Sequence, residues 1–266
     1  MQWLQLATVL FPDFLQLSTL ADYKEPVNKL LVQLVDSGYI KGPQYQEYFN
    51  KIYFDARIEL KKQQGKDEKS MQADHMKTDD GIADVSYAGE ESKESLTEYA
   101  VLLAPFYNQN NTVPKFFDKL MQSKNDVVRL GAVSTLLKNN QPVQDSILLN
   151  MASSDQLRGK LYKELVRIKK EALFPARYKT QADLARSYLV ANRSYNKIDS
   201  VVLVSKQPGI YKNEKGTVYF FKYRVKKEDD WKIGISGLQP EKETSLSSNN
   251  YLTSMTDKKL KEDKPA

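Results

Sequence analysis

No cysteine occurs in this chain, which excludes disulfides, thiolate metal sites and cysteine nucleophiles. A single histidine, His75, sits in a charged stretch, so a Ser-His-Asp relay has little to be built from. No apolar run approaches the roughly eighteen residues needed to cross a bilayer. The first basic residue is Lys24, so the apolar opening at Trp3, Leu4, Leu6, Val9, Leu10 and Phe11 lacks the basic start of a secretory signal. Phosphate-cradling loops are missing too: Gly234-Ile235-Ser236-Gly237 has neither the lysine nor the following helix such a loop needs. The sequence therefore assigns no catalytic residue, no metal ligand and no cofactor.

What remains is a polar, core-forming composition. The 266 residues are 41% hydrophobic and 28% charged, enough for one large domain or two small ones. Mean hydropathy is −0.58, and the formal net charge is only +6, part of it in the tail at Lys258, Lys259, Lys261 and Lys264.

The dominant pattern is helical. Val27, Leu30, Leu31, Leu34 and Val35 recur at three and four after Pro26, which fits a first helical position. Tyr45, Phe49, Ile52, Ala56 and Leu60 form a second stripe. The span 1–62 is read as a helical segment. From 63 to 94 charge and small residues take over, and the stretch is predicted to be a flexible linker or insertion in which 82–87 docks at most locally. Ser95-Leu96-Thr97-Glu98 reads as a capping box that restarts the helices.

Within 95–192 one phrase recurs. Asp126, Val128, Arg129, Ala132 and Leu136 give Asp-x-Val-Arg-x-x-Ala-x-x-x-Leu, and Asp155, Leu157, Arg158, Leu161 and Leu165 repeat it 29 residues later. Asp183, Ala185, Arg186 and Leu189 make a degraded third copy, and a fainter echo lies in 13–60. The phrase resembles the second helix of a HEAT repeat, most closely the short variety. That resemblance implies a short α-solenoid of helix pairs. The residues alone offer Asn125 or Asp126, and Ser154 or Asp155, as caps; the resemblance makes Asp126 and Asp155 the caps of equivalent helices standing side by side, with Arg129 and Arg158 reaching the adjoining unit and Ala132 permitting close approach. It also implies a scaffold that binds proteins on a concave surface.

After 199 the period changes to two. The segments 201–204, 217–225 and 231–235 read as a small antiparallel three-stranded element within 199–238, resting on the last helices. Tyr219, Phe221, Tyr223 and Val225 share one face of the second strand, opposite Lys222, Arg224 and Lys226; Trp231, Ile233 and Ile235 share a face of the third. Residues 239–266 are predicted to be disordered.

Candidate sites are few. Arg158, Lys160, Lys163, Arg167 and Lys170 form a basic helix face; with strand 217–226 they are the alternative nucleic-acid surface, although Glu164 and Glu171 interrupt them. Asp74, Asp79, Asp80 and Asp84 beside His75 lack calcium-loop spacing. The leading expectation is a mainly α, non-enzymatic scaffold for another protein or for an upstream domain of the same polypeptide. Because its opening is apolar where a repeat array should end in a polar cap, the chain reads as the C-terminal region of a larger protein, possible also as the non-catalytic part of an enzyme.

Overall fold

The computed structural model describes residues 9–17, 20–76, 88–191, 198–226, 228, 230–242, 244–248 and 252–259. The chain is mostly helical, 58%, with a four-stranded antiparallel sheet near its C-terminus. It divides into two compact units, Met1–Pro142 and Val143–Ala266. The boundary cuts the expected repeat array 95–192, so the helices beginning near Asp126 and Asp155 belong to different units.

The first unit contains α1 (Phe11–Leu17), α2 (Ala21–Asp36), a 3-10 turn (Gly42–Tyr48), α3 (Phe49–Met76), α4 (Ala88–Leu103), α5 (Thr112–Met121) and α6 (Asp126–Lys138). Helix α4 is its hub, touching α2, α3 and α6, because Leu96, Ala100, Leu102 and Leu103 leave it apolar on several sides. Tyr45 is fully buried against it and donates its hydroxyl to the Leu102 carbonyl at 2.8 Å, so the polar tip is satisfied. Phe49 and Phe106 pack edge to face at 5.0 Å beside Tyr45.

Several sequence expectations change here. Pro26 lies inside α2, not at its start. The predicted linker 63–94 is helical wherever it is described: α3 runs on to Met76 and α4 begins at Ala88, ahead of the capping box. Lys, Gln, Glu and Ala have high helix propensity, so the segment is helical without an apolar stripe to mark it. The extension is also anchored. Asp67 accepts hydrogen bonds from Gln63 Nε2 at 2.8 Å, Ser123 Oγ at 3.0 Å and the Lys124 amide at 3.2 Å. The side chain of His75, residues 82–87 and the opening at Trp3 to Leu6 lie outside the described side chains.

The cap of α6 also moves. Asn125, not Asp126, is the N-cap, its side-chain Oδ1 accepting from the amides of Val127 and Val128. Asp126 is the first helical residue and pairs with Arg129 one turn on. Ala132 is fully buried, and beside it a Cβ added at Gly131 would stand 2.5 Å from the Thr97 side chain, the mark of close helix approach.

The second unit contains α7 (Asp145–Ser153), α8 (Arg158–Arg167) and α9 (Gln181–Ala191), then β1 (Ile198–Tyr211), β2 (Glu214–Val225), β3 (Lys232–Gln239) and β4 (Leu252–Lys259) in spatial order. Helix α8 stops at Arg167, where Ile168 and a left-handed Lys169 (φ 59°) break the geometry. Lys212 and Asn213, both at positive φ, form the tight β1–β2 turn. The sheet has four strands, not three: β4 falls in the tail predicted to be disordered, its Leu252 and Met255 too sparse to signal a strand. Val201, Tyr219, Phe221, Tyr223 and Val225 form one buried cluster with Ala185, Leu189 and Val190 of α9.

Replacing Asn125 by Ala is expected to lower the unfolding free energy by about 1 kcal/mol. Asp126→Ala should cost less, since that carboxylate makes a partly exposed ion pair within its own helix. Urea denaturation of both variants checks the order.

Candidate functional site

Arg158 is the most heavily engaged charged side chain of the second unit. It is 4% exposed. Its Nε donates to the Ala152 carbonyl at 2.7 Å and Nη2 to that of Ser153 at 3.2 Å, which satisfies carbonyls left open at the end of α7. Nη1 donates to Asp155 Oδ1 at 2.6 Å and to the Asp183 carbonyl at 3.2 Å. The guanidinium lies 4.9 Å from the Tyr178 ring centroid. Asp155 then links onward, its other oxygen accepting from Arg186 Nε at 2.8 Å and its carbonyl from Ser187 Oγ at 2.7 Å. Ser187 Oγ in turn accepts from the Gly159 amide at 2.7 Å.

Asp155 is therefore not the cap expected of it: the N-cap of α8 is Leu157, which makes no side-chain cap bond. It is the anion of a node joining α7, α8 and α9. The node holds helices together and leaves little donor capacity for a ligand, since four of the five N–H donors of Arg158 are committed.

The five-residue basic patch comes apart accordingly. Arg158 is buried in the node, Lys170 is half-buried, and Arg167 is paired with Glu164 at 2.8 Å. Lys160 and Lys163 remain exposed on one face of α8. Two lysines are a thin basis for a phosphate-backbone surface.

The sheet offers more. Its face toward α9 takes Tyr219, Phe221 and Tyr223 from β2, but from β3 it takes Lys232, Gly234 and Ser236. A Cβ at Gly234 would stand 2.7 Å from Leu189, so the helix lies too close for a larger residue. Alternation then sends the bulky residues of β3, Trp231, Ile233 and Ile235, to the opposite face, where they are half-exposed. Register sets Phe220 beside Ile235 and Lys222 beside Ile233, with Val202 of β1, 43% exposed, next in the row.

Two cations sit over the Trp231 ring, Lys222 Nζ at 4.7 Å and the Arg224 guanidinium at 5.5 Å from its centroid. Arg224 also donates to Asp199 at 2.6 Å; its hydrogen bonds, and then that of Ser200, hold the Asp199 carboxyl below the usual carboxylate range. On the α9 side, burial pushes the Tyr188 hydroxyl well above its ordinary value, so it stays protonated and donates to the Ser247 carbonyl at 3.0 Å.

Sequence reasoning named Lys222 and Arg224 but missed the surface they edge. The available signal was that β2 and β3 carry large apolar residues at both parities, Phe220 beside Phe221 and Trp231 to Ile235 opposite Leu238. Among the described residues no group of acidic or imidazole side chains is arranged to hold a metal ion. No protein-family model matches the chain, and neither a curated protein nor a solved structure matches it.

Asp155→Ala would leave Arg158 buried with carbonyl partners alone. The expected loss is about 3–5 kcal/mol of unfolding free energy, the usual effect of removing one member of a buried pair. Chemical denaturation monitored by circular dichroism gives the value.

Proposed function

We propose that this chain is a non-enzymatic protein-binding module whose second unit docks its partner on the sheet face turned away from α9. One observation carries this reading: the sheet is apolar on both faces, and α9 is the helix that covers one of them. An antiparallel sheet with a solvated face ordinarily turns polar residues toward water. Here Phe220, Trp231, Ile233 and Ile235 stand on that face, and such a contiguous apolar group marks an interaction surface.

Helix α9, tied to α7 and α8 through Asp155 and Arg158, supports this surface. Sequential pairing of α5 with α6 and of α7 with α8 favours reading them as HEAT-like hairpins, in keeping with the recurring Asp-Arg phrase. The scaffold reading does not depend on that kinship, because the open sheet face stands on its own geometry.

Stability separates a docking face from a hidden part of the core. Ile233→Ser combined with Ile235→Ser is expected to change unfolding free energy by less than about 1 kcal/mol, as half-exposed sites do. Phe221→Ala, on the covered face, should cost about 3–5 kcal/mol. Binding of an apolar fluorescent dye to the native protein should fall in the double variant. A double variant as unstable as Phe221→Ala removes the docking reading.

A further inference from the structure

We infer that the open sheet face receives an acidic amphipathic helix of another protein, laid across β1, β2 and β3 with carboxylates over Lys222 and Arg224. This rests on the protein-docking reading above and names the chemistry of the partner.

Size comes first. Neighbouring strands are about 4.8 Å apart, so a row from Val202 through Lys222 to Ile233 is about 10 Å wide, the breadth of one helix. A helix there would complete a three-layer arrangement, with α9 on one side and the partner on the other. Ile233 and Ile235 point to the same face, as does Phe220 beside them, and offer a continuous apolar strip for residues spaced at i, i+4 and i+7.

Charge selects the partner. The apolar strip is edged by Lys222 and Arg224, held over Trp231. Asp199 is the carboxylate seen to pair there, and it engages Arg224 alone of the two. The bias extends beyond the face: the unit Val143–Ala266 has 24 Lys and Arg against 15 Asp and Glu, a formal +9, while Met1–Pro142 has 16 against 19, a formal −3. A field of that sign steers acidic partners toward the second unit.

Two other occupants fit less well. A second copy meeting face to face about a two-fold axis would bring Lys222 and Arg224 against their own equivalents, like charge on like. Single-stranded nucleic acid needs open aromatic faces for its bases. The Trp231 ring is already stacked by cations, and Ile233 and Ile235 have no π face to offer.

The test uses the full chain carrying Trp3→Phe, which leaves Trp231 as its sole tryptophan. Three probes are titrated against its fluorescence: a synthetic helix with leucine at i, i+4 and i+7 flanked by glutamate, its twin with lysine for every glutamate, and a thymidine oligonucleotide. The expected result is a saturable shift with the glutamate helix, at least tenfold weaker with the lysine twin. Lys222→Glu with Arg224→Glu should weaken the glutamate helix tenfold or more and strengthen the lysine twin. Ile235→Ser, a second variant that keeps both cations, should weaken both helices. A thermal melt confirms that each variant is folded. Equal or tighter binding of the lysine twin by the unaltered face overturns the acidic assignment and leaves the docking reading standing. A response to the oligonucleotide alone, or to none of the three probes, overturns both. Self-association that Ile235→Ser abolishes, with no response to either helix, replaces the acidic helix by a second copy.

Discussion

Strand geometry sends successive side chains to opposite faces, so a sheet with large apolar residues at both parities needs a covering layer on each side. That constraint governs the second unit. Helix α9 satisfies it on one side only. The contact is tight because β3 presents Gly234 to Leu189, and a methyl group there would overlap the leucine. Gly234 and Ser236 on the covered side put Trp231, Ile233 and Ile235 on the other. Close approach of the helix and apolar exposure of the opposite face are thus two consequences of the same alternation.

The helices behind the sheet have their own constraint, a cation removed from water. At 4% exposure the Arg158 guanidinium is compensated by the Asp155 carboxylate and by the carbonyls of Ala152, Ser153 and Asp183. Replacing such a node by apolar groups is often neutral in stability, so its value lies in geometry: its bonds reach the end of α7, the turn before α8 and the first turn of α9 together. Helix α9, which carries Asp183, Arg186 and Ser187, is held on its α8 side by this node and on its other side by the sheet. Gln181 adds a third hold, accepting from the Tyr219 hydroxyl at 2.8 Å while donating to the carbonyls of Pro240 and Ser245.

Much of this was legible from the sequence wherever apolar periodicity was strong. The helices over Phe116, Phe117 and Leu120, and the alternation of Tyr219, Phe221 and Tyr223, leave period signals that survive without neighbours. Periodicity is silent where a helix is held by polar anchors, as α3 is held beyond Leu60 by Asp67, and the sequence reading took that silence for a linker. It is silent again at β4, paired with β3 among the described residues, whose sequence offers only Leu252 and Met255 as apolar residues. The recurrent Asp-Arg phrase carried real information, but of an ambiguous kind: at Asp126 the pair closes within one helix, while at Asp155 the same spacing builds a node between helices. Spacing fixes which residues can meet along a helix. Burial decides what they do.

The open face was the hardest feature to foresee, because a sequence shows which residues share a face but not which face a helix will occupy. Bulk alone would have given the covered side to Trp231, Ile233 and Ile235. The helix goes instead to the side where β3 is thin and β2 is aromatic, since Tyr219, Phe221 and Tyr223 bury more area against it while Gly234 lets it come close. The exposed rings and chains are then partly shielded by the stems of Lys222 and Arg224, whose charged ends rest on Trp231. This packing covers part of the Trp231 ring, and it also positions two cations in advance. A carboxylate arriving there meets ammonium and guanidinium groups that have already lost part of their rotational freedom, so less entropy is lost on binding. Trp and Arg beside an aliphatic floor are the residue types in which interface energy concentrates. The feature that protects the free sheet is the one that prepares it for an acidic partner.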